Sequence, residues 1–241
     1  MNAERKITMV VKTSVTLADA EAVAAVNVVL DMFVHRDGRS RRDWYAPRLL
    51  SRARTRRVVR LAVAANGPSA GAVAARSRAE LETRIPSVAG RRPTADVSEL
   101  VKPQVRAAFA WETDHNGAVT APVHIRHVVS RTDAVTIITA RVLQRMVTAK
   151  NDGRNDWYRF PWTRAMSKRA VRYYVKQFYR EHGDQAPARA RAQVNACREA
   201  LAAHPETPPH VAQMAAWRVG RTWDWAAPAA PTPDDDAPAV S

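Results

Sequence analysis

Cations recur at every fourth position of Ser167–Gly183, SKRAVRYYVKQFYREHG: Lys168, Arg172, Lys176 and Arg180. At helical spacing they form one ridge, with only Glu181 near to offset it. Val171, Tyr174, Val175 and Phe178 fall at i, i+3, i+4 and i+7, the stripe of a helix that packs on a core. Ser167 suits the N-cap and Gly183 the stop. A row of cations on a helix neutralises successive phosphates, which gives affinity without sequence information. Reading base edges needs Arg, Asn or Gln in the N-terminal half of the helix, where Arg169 and Arg172 stand. Lys168 and Lys176 fit phosphate contacts, and Tyr173, beside the ridge, can stack on a base. The plain alternative is a solvated face that binds nothing.

A second ridge precedes the first. Arg48, Arg52, Arg56 and Arg60 are again four apart, with Arg54 and Arg57 beside them. Val58, Leu61, Ala62 and Ala65 supply the apolar stripe. The whole chain of 241 residues carries a net charge of +15. An Arg- and Ala-rich coding bias would also raise that figure, but the charge is not spread evenly. Residues 36–60 hold ten Arg and two Asp, a net +8, and residues 141–180 hold eleven Lys or Arg and two Asp, a net +9. The remainder is slightly acidic. Two concentrated basic segments predict a polyanionic partner, duplex nucleic acid first.

Other chemistry is thin. His115, His124 and His127 are near in sequence, but His124 and His127 fall on opposite faces of a strand, so no metal site is expected. Asp152 and Asp156 read as loop and cap residues, and Cys197 has no evident His partner. No Gly-x-Gly-x-x-Gly, P-loop or His-Glu-x-x-His motif occurs, so neither an enzyme nor a cofactor is predicted. One cysteine excludes a disulfide framework within the chain. No run reaches the roughly 20 apolar residues of a membrane helix and no signal segment is evident, which points to a cytoplasmic protein away from membranes.

These side chains need elements to hold them. A strand is expected over 6–13, then a helix opened by Thr16 with Asp19 three residues on, apolar through Ala22–Phe33. The next helix is predicted from Pro47 to Ala65, stopping at Asn66-Gly67. Further helices are expected over Ala70–Arg84, Val97–Trp111 (with Pro103 as kink or start), Thr132–Lys150, Ala188–His204 and His210–Arg218. Thr113–Gly117 reads as a turn, Ala118–Val129 as the best strand and Pro205–Pro209 as a breaker. The expected organisation is a first helical basic module over 1–67, a helical linker region over 68–117 and a second basic module over 118–185. C-terminal helices over 186–225 and a Pro-, Ala- and Asp-rich disordered tail over 226–241 complete it.

The order of features repeats. Val10-Val11, an apolar helix, Asp37-Gly38-Arg39, Asp43-Trp44-Tyr45 and a basic helix come first. Val128-Val129, an apolar helix, Asp152-Gly153-Arg154, Asp156-Trp157-Tyr158 and a basic helix follow. Thr132–Gly183 resembles the helix-turn-helix or winged-helix domains of phage and plasmid replication or regulatory proteins. The apolar helix is Ala134–Val147, the polar loop Asn151–Arg154, the positioning segment Phe160–Met166 and the basic helix Ser167–Gly183. Trp162, Thr163 and Arg164 stand where that pattern has Ala and a turn Gly. Trp157, Trp162 and Phe178 read as core aromatics. A fainter similarity links Val101–Val129 to the terminal proteins of linear actinobacterial replicons.

The fold class that follows is mainly α, with two helix-turn-helix-like modules, with or without a wing, short β-strands and an internal duplication. The functional expectation is a non-enzymatic DNA-binding protein of replication initiation or transcriptional regulation, compatible with a homodimer. An RNA-binding or tRNA- or ribosome-associated protein is the first rival; strands at 6–13 and 121–129 paired in one sheet would favour it. A virion assembly protein with a basic nucleic-acid-facing surface is the second.

Overall fold

The computed structural model describes residues 4–38, 42–88, 90, 92–159 and 167–225. The described chain is mainly helical with a small three-stranded sheet. Its elements are β1 (Lys6–Thr16), α1 (Leu17–Asp37), α2 (Arg52–Asn66), α3 (Ala70–Thr83), α4 (Val97–Ala108), β2 (Glu112–Thr113) and β3 (Val119–Ser130). There follow α5 (Arg131–Asn151), α6 (Lys168–His182), α7 (Ala186–Ala200) and α8 (Thr207–Gly220). Strand order is β1-β3-β2, so the two long strands pair, and β2 pairs antiparallel with β3, Glu112 opposite Thr120. The hairpin turn is held by Asp114, whose Oδ1 accepts from the backbone N–H of Asn116 and Ala118, both at 2.9 Å.

The chain forms two compact units. The first comprises the described residues of 10–126 with 179–185; the second comprises those of 1–9, 127–178 and 186–241. In the first unit α1 is the central helix, because Ala20, Val23, Ala24, Ala25, Val28, Val29 and Met32 cover more than one face with apolar atoms. Both α3 and α4, from the expected helical linker region 68–117, pack on it. α4 buries Val97, Val101, Val105 and Ala108, and Pro103 lies exposed inside the helix without ending it. The indole N–H of Trp111 donates to Val105 O at 3.2 Å. In the second unit α7 and α8 pack on α5, which buries Ile137, Ile138, Leu143 and Met146. The indole N–H of Trp225 donates to Val219 O at 2.9 Å. The chain breaks between α7 and α8 as expected, but α8 starts at Thr207 and takes Pro208 and Pro209 into its first turn, where a missing N–H costs nothing.

Both apolar helices start the same way. Thr16 Oγ1 accepts from Asp19 N at 3.1 Å and donates to Asp19 Oδ2 at 2.7 Å. Ser130 Oγ accepts from Asp133 N at 3.0 Å and donates to Asp133 Oδ2 at 2.8 Å. Each cap opens a helix of 21 residues. The basic helices also begin alike. Ser51 Oγ accepts from Arg54 N at 3.2 Å and Ser167 Oγ from Ala170 N at 3.1 Å, ahead of 15 helical residues each. Pro47 therefore does not open α2; a serine that can satisfy a free N–H does.

α2 and α6 each run into a three-residue 3₁₀ turn that opens on a glycine, Gly67 with φ +56° and Gly183 with φ +55°. A Cβ on Gly67 would lie 2.9 Å from Glu181 O, and one on Gly183 would meet Ala64 O. Both glycines serve the left-handed conformation and this close backbone approach. The turn also divides Arg52–Thr83, which holds an 18-residue window of mean hydropathy 1.2, into α2 and α3.

In the second unit Cys197 is buried, and burial pushes its thiol up from the ordinary range. Native Cys197 is expected to react with iodoacetamide at pH 8 at least tenfold more slowly than in urea, as read by mass spectrometry. Gly67→Ala and Gly183→Ala should each lower stability by about 2 kcal/mol or more, from φ strain plus backbone collision. Gly117→Ala, at φ +80° but with open space around the Cβ, should cost less in the same urea titration.

Candidate nucleic-acid interface

α6 is an amphipathic helix whose buried stripe matches the expected one at Val171 and Val175 and departs from it elsewhere. Val171, Val175 and Tyr179 are buried, four residues apart, while Tyr174 and Phe178 are half-buried. Tyr179 takes the place assigned to Phe178 because a strict i+4 row sits closer to the packing line. On the outer side Ser167, Lys168, Arg169, Tyr173, Lys176 and Arg180 are exposed. Tyr173 is 58% exposed, and its ring meets Tyr174 edge-on at 5.5 Å. The guanidinium of Arg141 lies over the Tyr174 ring at 5.0 Å.

Arg172 has a different task from its neighbours. Its Nη2 donates to Thr222 O at 2.9 Å, just past the end of α8. Helix C-terminal carbonyls lack intrahelical partners, and a cation suits that end of the dipole. Arg172 is nevertheless exposed, so the contact ties one guanidinium nitrogen to the chain without burying the side chain.

α2 shows the same division of labour. Arg56 Nε donates to Ala108 O at the last residue of α4, and Arg56 is half-buried. Arg52, Arg54, Arg57 and Arg60 are exposed on the helix. Arg54 lies 3.9 Å from Asp31, a solvent-screened pair of little energetic weight. Arg48 is exposed but precedes the Ser51 cap, so it is not part of the helical ridge. The buried residues are Thr55, Val59 and Val63, whereas Leu61, expected in the apolar stripe, is 58% exposed. Val58 and Ala62 are half-buried and flank the true stripe.

The loops that precede the basic helices carry ordered polar contacts. Arg154 faces Asp156 with two hydrogen bonds of 3.1 Å, and that carboxylate raises the guanidinium pKa. Asp152 caps the end of α5, so the two carboxylates act as loop and cap residues. Trp157 is buried against His204, ring centroids 4.8 Å apart. The expected positioning segment Phe160–Met166, with Trp162, Thr163 and Arg164, lies outside the described residues, as do Arg39 and the tail 226–241.

The sheet contributes cations that belong to neither ridge. Along β1, Lys6, Thr8, Val10, Lys12 and Ser14 are exposed in alternation with more buried residues. Along β3, Pro122, His124, Arg126 and Val128 alternate with buried Ala121, Val123, Ile125 and His127. The period-two pattern was visible in the sequence, and counting charge on its outer face would have found Lys12 and Arg126. Among the described residues no group of three or more metal-ligating side chains comes together.

No family model, no curated protein and no solved structure matches this chain.

Arg56→Ala and Arg172→Ala should each cost about 1 kcal/mol of stability through the lost carbonyl contact. Arg57→Ala and Arg169→Ala should stay within about 0.5 kcal/mol of wild type. Urea unfolding midpoints separate the two pairs.

Proposed function

We propose that the protein binds duplex DNA without catalysing a reaction, and acts in replication initiation or transcriptional regulation. In this reading α6 and α2 are the basic helices of two helix-turn-helix-like modules that arose by internal duplication. The observation that carries it is the split on α6. Val171, Val175 and Tyr179 are buried, while Lys168, Arg169, Lys176 and Arg180 face outward with Tyr173 among them. Such a face meets phosphates with several cations at once, and their released counterions make affinity salt-dependent. The duplication is supported by the matched hydroxyl–Asp caps, the matched serine caps and the equal helix lengths. The matched arginine–carbonyl and tryptophan–carbonyl contacts support it further.

An RNA-binding protein is the second reading, and one observation favours it: β1 and β3 are neighbours in one sheet. The two readings separate on substrate. Duplex DNA, single-stranded DNA and structured RNA are compared by gel shift across a salt series, and tighter binding to structured RNA selects the second.

Replacing Lys168, Arg169 and Lys176 together with Ala tests the helix. If all three contact phosphates, the slope of log affinity against log salt should fall by about 2 to 3. Arg172 is left intact, so the fold keeps its carbonyl contact. Unchanged duplex binding by a variant with a wild-type melting curve removes α6 from the interface.

A further inference from the structure

A groove of about 520 Å³ in the first unit lies between α2 and the outer face of the long strands, lined by Val10, Arg60, Leu61, Ala64, His124 and Arg126 together with Ile125. Its size falls within the range of sites that hold one small ligand or part of a larger one. Two arginines line it, one from α2 and one from β3, and no carboxylate does. Its apolar atoms come from residues that have no reason to be exposed: Leu61 is 58% and Val10 46% exposed. Leu61 stands in a helix whose stripe is already filled by Thr55, Val59 and Val63, so its exposure adds nothing to the core.

We propose that this groove takes an unpaired segment of nucleic acid, RNA or DNA, beside the duplex bound by the basic helices. The inference rests on the nucleic-acid reading given above. A duplex presents phosphates but hides its base faces in the stack. An unpaired strand offers both the negative charge that Arg60 and Arg126 call for and flat apolar base faces for Leu61, Val10 and Ala64. The groove is concave, and its apolar floor is wasted on phosphate alone. Single-strand sites combine a cationic track with surfaces on which bases lie. Here aliphatic side chains replace the usual aromatics, so sequence-tolerant and moderate affinity is expected. Sequence reasoning placed Arg60 on a helical ridge; the strand Arg126 brings the second charge to the same hollow.

Fluorescein-labelled eight-nucleotide oligo-dT and oligo-U, and a twenty-base-pair duplex, are titrated by anisotropy with wild type, Arg126→Ala and the charge-neutral Leu61→Ser. Both substituted residues are exposed, and melting curves check the fold. The proposal expects each variant to lose at least tenfold in single-strand affinity, with duplex affinity within twofold of wild type. The ratio of the oligo-dT and oligo-U losses tells DNA from RNA as the occupant. Photo-crosslinking of 5-iodouracil oligonucleotides to the unsubstituted protein should label the peptides that contain Leu61 or Arg126. Unchanged single-strand affinity in both variants, equal losses on single strand and duplex, or crosslinks confined to other peptides each overturn the groove. Wild-type binding to duplex but not to either oligonucleotide also overturns it while leaving the proposed function standing. Binding to none of the three probes removes the function and the groove together.

Discussion

A backbone approach at Gly67 and Gly183 constrains the C-terminal ends of both basic helices. At the ends of α2 and α6 the main chains run so close that a Cβ on Gly67 or Gly183 would collide with the other's backbone, and only hydrogen fits there. The left-handed φ at both glycines turns each chain into the next helix, and the next helices, α3 and α7, are those that pack on α1 and α5. The turn thus does two things with one residue. It ends a solvent-facing basic helix and aims a packing helix at the apolar helix of its unit. A side chain at either glycine would disturb the exit of the basic helix and the entry of the packing helix at once, because protein interiors have little free volume to absorb a shift.

Charge is divided by task along α2 and α6. Along each helix an arginine donates to a backbone carbonyl at or just past a helix C-terminus: half-buried Arg56 to Ala108 O and exposed Arg172 to Thr222 O. Those carbonyls would otherwise be free at a packed helix end. The remaining cations stay exposed, where water screens them from one another and their mutual repulsion costs little. A basic face is therefore tolerable for the fold. The aromatic contacts follow the same economy. Phe33 is flanked by Arg36 and Arg84 at 4.7 and 4.5 Å, and Trp217 by Arg218 and Arg221 at 4.6 and 4.8 Å. Arginine covers ring faces that the small cores leave open.

Local signals in the sequence were good guides to elements. Thr16, with Asp19 three residues on, opens α1 as expected, whereas Ser130 caps α5 two residues ahead of the expected start at Thr132. The alternation in 121–129 marks β3 because a strand's two faces differ by one residue. Partnership was less legible. Pro47 looked like a helix start because proline tolerates a first turn, yet Ser51 caps the helix and leaves Arg48 outside it. Leu61 looked like core because it is large and apolar, but packing is decided by the row at 55, 59 and 63. Arg172 and Lys176 are indistinguishable in a ridge of cations. Only the carbonyl of Thr222, fifty residues on, separates them, and no periodicity carries that information.

The order in which the chain passes between its units bears on how it is made. The first unit takes most of its residues from 10–126 but also holds 179–185, the stretch that contains Gly183. During synthesis, α1 to α4 emerge long before the segment that meets Gly67. Until Gln185 has left the ribosome, the end of α2 faces water with its close neighbour missing. A nascent chain must therefore hold an unfinished first unit while residues 127–178 of the second are being translated.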